Sequence, residues 1–235
     1  MSFIMSYKCK KCGYLFNLDL PIQASGNAMV TSNPSCGCLK CGSKNIGVSD
    51  AFELAEKARC EQDPTSAKRM INDALSFQPD CHHALEIGVN IAAAIEDKDM
   101  FSKLSERLVR LFPKTAASHF HRGNYLSRFI GDFNAALGHY MKGAELDPND
   151  IDYIVNGAAC YMNMGRHREA AQFLESARDR FTEDEQCWVI DFNLVSCYGV
   201  YDRKKAKVAI KKFQDIYKKH PAKEHFENIS NEICP

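Results

Sequence analysis

Gly131-Asp132-Phe133-Asn134-Ala135-Ala136, followed by Tyr140 and closed by Leu146-Asp147-Pro148, is the stretch that decides the fold. A glycine–acid turn opens it, Ala136 and Tyr140 lie four residues apart on one helical stripe, and a proline that cannot continue the helix ends it. The closing proline recurs along the chain, at Pro79 in Phe77-Gln78-Pro79-Asp80, Pro113 in Leu111-Phe112-Pro113-Lys114 and Pro221 in Lys219-His220-Pro221-Ala222. The spacings from Pro79 to Pro113 and from Pro113 to Pro148 are 34 and 35 residues. The next is 73, two periods with a small insertion, and Thr182 stands where the missing proline is expected.

The interior keeps the same frame. Twelve residues before each closing position stand Ala67, Phe101, Ala136, Ala170 and Ala209; eight before stand Ile71, Ser105, Tyr140, Leu174 and Phe213; five before stand Ala74, Leu108, Gly143, Ala177 and Ile216. Each set falls on one stripe of a helix, and the small residues permit close crossing of neighbours. Gly131-Asp132 and Gly165-Arg166 are the expected turns between paired helices. Asp63-Pro64 and Thr182-Glu183-Asp184-Glu185 are the expected helix starts, the second as a capping box.

These residues resemble the tetratricopeptide repeat, most closely in the stretch quoted above and in Tyr161…Gly165-Arg166-His167-Arg168-Glu169-Ala170. The frame gives repeats over about 49–80, 81–114, 115–150, 151–184 and 185–221, with 222–235 as a C-terminal tail or capping helix. The second departs by carrying Phe101 at the usual small site. The resemblance implies a mainly α fold, a right-handed superhelix of about five helical hairpins, whose first helices line a groove for a protein or peptide partner. Carried onto this chain, the groove-facing positions are His83, Glu86 and Asn90 in the second repeat. In the third they are His121, Tyr125 and Arg128, and in the fourth Asp152, Val155, Asn156 and Asn163.

Residues 1–48 are a different module. Cys9-Lys10-Lys11-Cys12-Gly13 and Cys38-Leu39-Lys40-Cys41-Gly42 carry one pattern twice. A two-residue gap lets both sulfurs of a tight turn face one ion, and the glycine after the second cysteine admits a left-handed backbone. Two such turns supply four thiolates for a tetrahedral site, and a module this small draws much of its folding energy from the metal. Residues 5–48 resemble the rubredoxin-like zinc ribbons. The resemblance implies a small β module with Cys9, Cys12, Cys38 and Cys41 as ligands. Zinc is preferred to iron, because the intervening stretch lacks the acidic, tryptophan-bearing character of electron-carrying rubredoxins. Cys36 is a fifth thiol beside the site, either a bystander or a partner for Cys41.

Thirty basic and thirty acidic residues cancel over the 235-residue chain, so its overall charge does not direct it to nucleic acid or anionic membrane. No run approaches the roughly 18–20 apolar residues of a membrane span, and the apolar start is too short for a signal peptide. The expected compartment is the cytoplasm. No Gly-rich phosphate loop, nucleophile elbow or paired carboxylates stand out, so the expectation is a non-enzymatic scaffold or adaptor.

Two alternatives remain: a nucleic-acid-associated regulator using the basic ribbon and the lysine-rich last repeat, and an iron–tetrathiolate electron carrier. In that last repeat Arg203, Lys204, Lys205, Lys207, Lys211, Lys212, Lys218, Lys219 and Lys223 lie opposite a buried stripe expected at Ala206, Ala209, Ile210, Phe213 and Ile216. Cys81-His82-His83 is expected to be a helix start with surface histidines, and Cys160 and Cys197 to be core.

Overall fold

The computed structural model describes residues 2–21, 37–44, 46–181, 184–221 and 223–233. The chain divides into two compact units, Met1–Tyr125 and Leu126–Pro235.

The first unit begins with a three-stranded antiparallel sheet: β1 (Ser2–Cys9), β2 (Leu15–Pro21) and β3 (Ile46–Val48), in the order β2-β1-β3. Alternation along β1 sends Met5, Tyr7 and Cys9 to one side, where they meet Phe16, Cys38 and Ile46 in a small core. Phe52, from the first helix, packs against that core. Ser6 is fully buried as well; its hydroxyl donates to Asn17 Oδ1 at 2.5 Å, and its carbonyl accepts from the Ser49 amide at 2.9 Å.

Five helices follow: α1 (Asp50–Cys60), α2 (Pro64–Phe77), α3 (His82–Ala94), α4 (Lys98–Leu111) and α5 (Ala116–Tyr125). Three of their starts are capped by short polar side chains, which satisfy the orphan N–H groups of a helix N-terminus. Ser49 accepts from the Phe52 amide, Asp63 from Thr65 and Ser66, and Asp97 from Met100. Asp63 is followed by proline at the first helical position, as the sequence predicts. The turn between α3 and α4 takes φ 56° at Glu96, a left-handed conformation that the chain elsewhere gives to glycine.

The second unit opens with a π-helical turn, Leu126–Ile130, which exits through Gly131 at φ 75° to the cap Asp132. Then come α6 (Phe133–Leu146), α7 (Ile151–Asn163), α8 (His167–Arg178), α9 (Asp184–Tyr201), α10 (Arg203–Ile216) and α11 (Lys223–Ile233). The small-residue stripe sets their spacing. Ala136, Ala170 and Ala177 are fully buried, and a Cβ placed on Gly143 would lie 2.3 Å from the Tyr153 ring, so α6 and α7 touch there through a bare backbone. Gly165, at φ 72°, turns α7 into α8. The capping box expected at Thr182–Glu185 lies outside the residues whose side chains are described.

The stripe expected in the last repeat is corrected at one position. Ala206, Ile210 and Phe213 are buried and Ala209 is half-buried, but Ile216 is 49% exposed and Tyr217 takes its place at 1%. Tyr217 is drawn in from two sides. Its ring stacks on Phe226 of α11 at 5.3 Å, and its hydroxyl donates to Asp191 Oδ2 at 2.7 Å. Asp191, itself 1% exposed, also accepts two bonds from Arg178, at 2.7 and 3.0 Å, so one buried carboxylate ties α8 to α9 and to the end of α10. The cationic face of α10 is exposed, as expected, with Lys205 paired to Glu175 at 2.6 Å.

Removing a buried charge strands its partner, which costs about 3 kcal/mol or more. Asp191→Ala is therefore expected to lower the thermal midpoint by several degrees, whereas Ile216→Ala, on the exposed side of the same helix end, leaves it almost unchanged. Calorimetry of the two variants against the parent checks this contrast.

Candidate functional site

Two hairpin knuckles bring four cysteines together in a cluster that could hold a metal ion. In the first, the Gly13 amide donates to the Cys9 carbonyl at 2.8 Å; in the second, Gly42 repeats that bond to Cys38 at the same distance. Both glycines are left-handed, at φ 73° and 68°, as the Cys-x-x-Cys-Gly pattern requires. The Sγ atoms of Cys9, Cys12, Cys38 and Cys41 all lie within 4.8 Å of one another. Cys9 and Cys41 are 3.7 Å apart, as are Cys12 and Cys38. Metal–sulfur bonds of about 2.3 Å in a tetrahedron place neighbouring sulfurs about 3.8 Å apart, so the donor set has the size such an ion demands.

Electrostatics points the same way. Burial acts to raise the Cys9 thiol, but the amides of Cys12 and Lys11, with the sulfurs of Cys12 and Cys38, outweigh it and bring the pKa down to about 6. The Tyr14 amide acts to lower Cys12, yet burial and the crowd of Cys41, Cys9 and Cys38 raise it to about 12. The opposite shifts of Cys9 and Cys12 are what neighbouring thiols competing for one negative charge produce, and a shared cation would relieve that competition. Cys36, the fifth thiol of this segment, lies outside the described residues.

The ribbon is tied to the helices beside it. Ser49 both bonds β1 and caps α1; Lys8 reaches Asp50 at 2.6 Å; and Asn17 donates to the Asp80 carbonyl, at the α2–α3 turn, at 2.8 Å.

The binding positions expected in the first unit group around α3 and α5. His83 is buried, stacked on Phe52 at 4.3 Å between ring centres and bonded to Glu56. His82 is buried too, with Nδ1 3.3 Å from Glu86 and its ring edge-on to Phe112. Surface histidines at this helix start are thus corrected to interior ones. The reason is that α3 is apolar nearly all round and is covered by its neighbours. His121 is buried, Asn90 is exposed, and Tyr125 is half-buried with its ring beside Phe101 and Arg122.

Burial lowers the pKa of His121 against the opposing pull of Glu86. Burial acts to raise Glu86, but the hydrogen bond from His82 and the charges of His82, His121 and His83 outweigh it and lower the carboxyl.

In the second unit a pocket of about 220 Å³ gathers Arg128, Asn156 and Asn163 from the expected set with Ser127, Phe133, Tyr140, Ala159 and Cys160. The π-helical turn supplies Ser127 and Arg128, and α6 and α7 supply the rest. None of the eight lining residues is acidic. Asn156 and Asn163 each donate one amide hydrogen to their own helix, to the carbonyls of Asp152 and Ala159 at 2.8 Å, and each keeps its carbonyl oxygen and second N–H for a ligand. Burial lifts Tyr140 to about 12 and Cys160 to about 11, so both stay neutral, and Arg128 is the charged residue of the lining. Asp152 is exposed and Val155 half-buried, and neither lines it.

No family model matches the chain. Curated relatives match over a short stretch. A 52-residue segment is 44% identical to Hsp70-Hsp90 organizing protein 1 of Glycine max and 42% identical to the Hsp70-Hsp90 organizing protein of Triticum aestivum. That segment is 22% of this chain and 9% of each relative, so the chain spans only a small part of their length. Solved structures match far more of it. YrrB, described as a TPR protein with an unusual peptide-binding site, superposes with a TM-score of 0.60 at 19% identity, over 76% of this chain and 92% of its own. MamA superposes with a TM-score of 0.62 at 19% identity, over 70% and 95%. The chain has the tetratricopeptide-repeat fold, preceded by a four-cysteine ribbon.

Metal removal is expected to loosen more than the ribbon. Chelation, or Cys12→Ser, should raise amide exchange at the start of α1 and at the α2–α3 turn while leaving α9 to α11 protected; hydrogen-exchange mass spectrometry on the full chain reads this. A second expectation concerns pH. A group whose pKa is depressed by folding contributes stability above its unfolded value, about 6.5 for histidine, and that stability is lost as pH falls. His121→Gln should therefore flatten the decline of the thermal midpoint between about pH 7.5 and 5.5, since the ribbon thiolates contribute equally to parent and variant.

Proposed function

We propose that this chain is a non-enzymatic adaptor, holding a segment of a partner protein in the second-unit pocket while a zinc-bound ribbon braces the first helical pairs. The observation that carries the reading is the lining of that pocket. It has one cation at Arg128, amides from Asn156 and Asn163, hydroxyls from Ser127 and Tyr140, and an apolar floor of Phe133, Ala159 and Cys160. Such a lining fits an acidic or C-terminal group carried on an extended peptide. The amides meet backbone polar groups, and the guanidinium meets the carboxylate.

The tetratricopeptide fold supports the same class of function, although fold alone does not choose a ligand. The curated relatives are named for organising Hsp70 and Hsp90, which makes those two chaperones the first partners to test. Asp152 and Val155 would meet the same segment beyond the pocket. In the first unit Glu86, Asn90 and Tyr125 would form a separate contact, with the buried His83 and His121 packed behind them. For the ribbon, zinc accounts for a purely structural tetrathiolate site. A colourless protein with one zinc per chain fits this, and a coloured iron form would move the ribbon to electron transfer. No described helix is long and apolar enough to cross a membrane; the compartment proposed for the adaptor is the cytoplasm.

The test is titration of fluorescent peptides, acidic, neutral and basic, together with Hsp70 and Hsp90, against the full metal-loaded chain. Acidic peptides should bind most tightly, and Arg128→Ala or the double variant Asn156→Ala/Asn163→Ala should weaken them about tenfold or more. Equal affinity for all three charge classes, or indifference to the Arg128 change, would remove the pocket from the mechanism.

A further inference from the structure

We infer that the knuckle face of the ribbon is a second binding surface, built to hold single-stranded nucleic acid. Convergence of the four sulfurs brings the tips of both knuckles together, and what they present outward is not ordinary polar surface. Tyr14 is 40% exposed and Leu39 is 62% exposed, one at each knuckle. Around them Lys10, Lys11, Lys40 and Lys44 are all exposed, and no carboxylate of the described residues pairs with these four; Lys8, by contrast, is engaged by Asp50. Residues 8–14 and 37–44 contain no aspartate or glutamate. A divalent ion in four thiolates is a doubly negative centre, which two of the four lysines would balance, so a cationic surplus remains at the tips.

The aromatic arrangement separates nucleic acid from other polyanions. Tyr7, 2% exposed, stacks with Phe16 at 5.9 Å and an interplanar angle of 27°; Phe16, 4% exposed, stacks with Tyr14 at 5.9 Å and 16°. A ladder of three near-parallel rings thus runs from the ribbon core to the surface and ends in a half-exposed ring. Its orientation is set by buried neighbours, so little conformational freedom is lost when another flat ring joins it. Lys40 Nζ lies 5.9 Å from the Tyr14 ring centre, which puts a cation and an aromatic face in one patch. A nucleobase extends the ladder while its phosphates meet the lysines, the combination that holds single strands irrespective of sequence. A duplex keeps its bases stacked inside and offers only phosphates. An acidic peptide would use the lysines and ignore the ladder. The whole chain is neutral, so attraction to a polyanion comes from local patches such as this one and not from net charge; the cationic face of α10 carries lysines without a comparable aromatic ladder among the described residues.

Fluorescence anisotropy of labelled oligo(dT) and oligo(U), with the metal-loaded full chain, tests the proposal at low and high salt. Binding to single strands should weaken as salt rises. Tyr14→Ala should weaken it roughly tenfold while Tyr14→Phe keeps it, and Lys11→Glu/Lys40→Glu should abolish it. Metal content and circular dichroism would confirm that each variant is folded, and Arg128→Ala, in the peptide pocket, should leave it unchanged. No binding even at low salt, equal affinity for duplex, full competition by poly-glutamate, or an unaltered Tyr14→Ala would each overturn the proposal.

Discussion

Close approach of helices at a few bare positions is the constraint on which both helical units depend. Where Ala67, Ala136, Ala170 and Ala177 face a neighbour, or where Gly143 meets the Tyr153 ring, a larger side chain would push two helices apart and open voids along their length. The large residues of the same stripes, Ile71, Leu108, Tyr140 and Leu174, fill the space this spacing defines. Phe101 shows that the rule concerns total volume. It is 2% exposed at a site that is small elsewhere, and Gly88, whose Cβ would meet Leu104 and Ile71 below 3 Å, supplies compensating room in the same pair of helices.

The ribbon solves a different problem. A sheet of three short strands has too little apolar surface to stand alone, and among the described residues its core is six buried side chains with Leu18, Val48 and, from the first helix, Phe52 packed against them. Two things compensate. The four sulfurs create a repulsive cluster that becomes strongly favourable once a cation is shared among them. The sheet also leans on α1 through Phe52, Ser49 and Asp50 and on the α2–α3 turn through Asn17. The bonds run both ways: the cap that starts α1 is held by the strand that carries Cys9. A metal held by the knuckles would therefore be felt by the helices through these bonds.

Features with a short-range cause are the ones legible in the sequence. The knuckles, the left-handed glycines at Gly13, Gly42, Gly131 and Gly165, and the buried stripes of four repeats are each set by a local pattern, and each lies where the spacing puts it. The turn at Glu96 escapes such a pattern because its left-handed residue is not a glycine. Ile216 is misplaced when a fixed period is carried to the chain end, where a hydrogen bond to Asp191 and a ring stack on Phe226 turn Tyr217 inward instead. The burial of His82 and His83 depends on how completely α3 is surrounded, which no window of its own sequence reports. At the pocket, Arg128, Asn156 and Asn163 are accessible from the repeat frame. Ser127 is not, because a π-helical turn alters the register at that point, and Tyr140 and Cys160 carry only the signature of core.

That π-helical turn is where the backbone departs from the regular repeat. An ordinary helix through Leu126–Ile130 would advance each residue by its usual angle, whereas a π turn inserts a residue and re-aims its neighbours. Here the re-aimed residues are Ser127, bonded to Tyr140 at 3.2 Å, and Arg128, the charged residue of the pocket lining. The distortion forgoes regular helical bonding, and Gly131 is needed to end it, since the Asp132 amide reaches back to the Leu126 carbonyl at 3.0 Å around a left-handed residue. Such π turns are rare and recur at functional sites. This one stands beside a pocket lined by a cation, two amides and no acid, and in the proposed reading it is the device that sets Arg128 for the peptide.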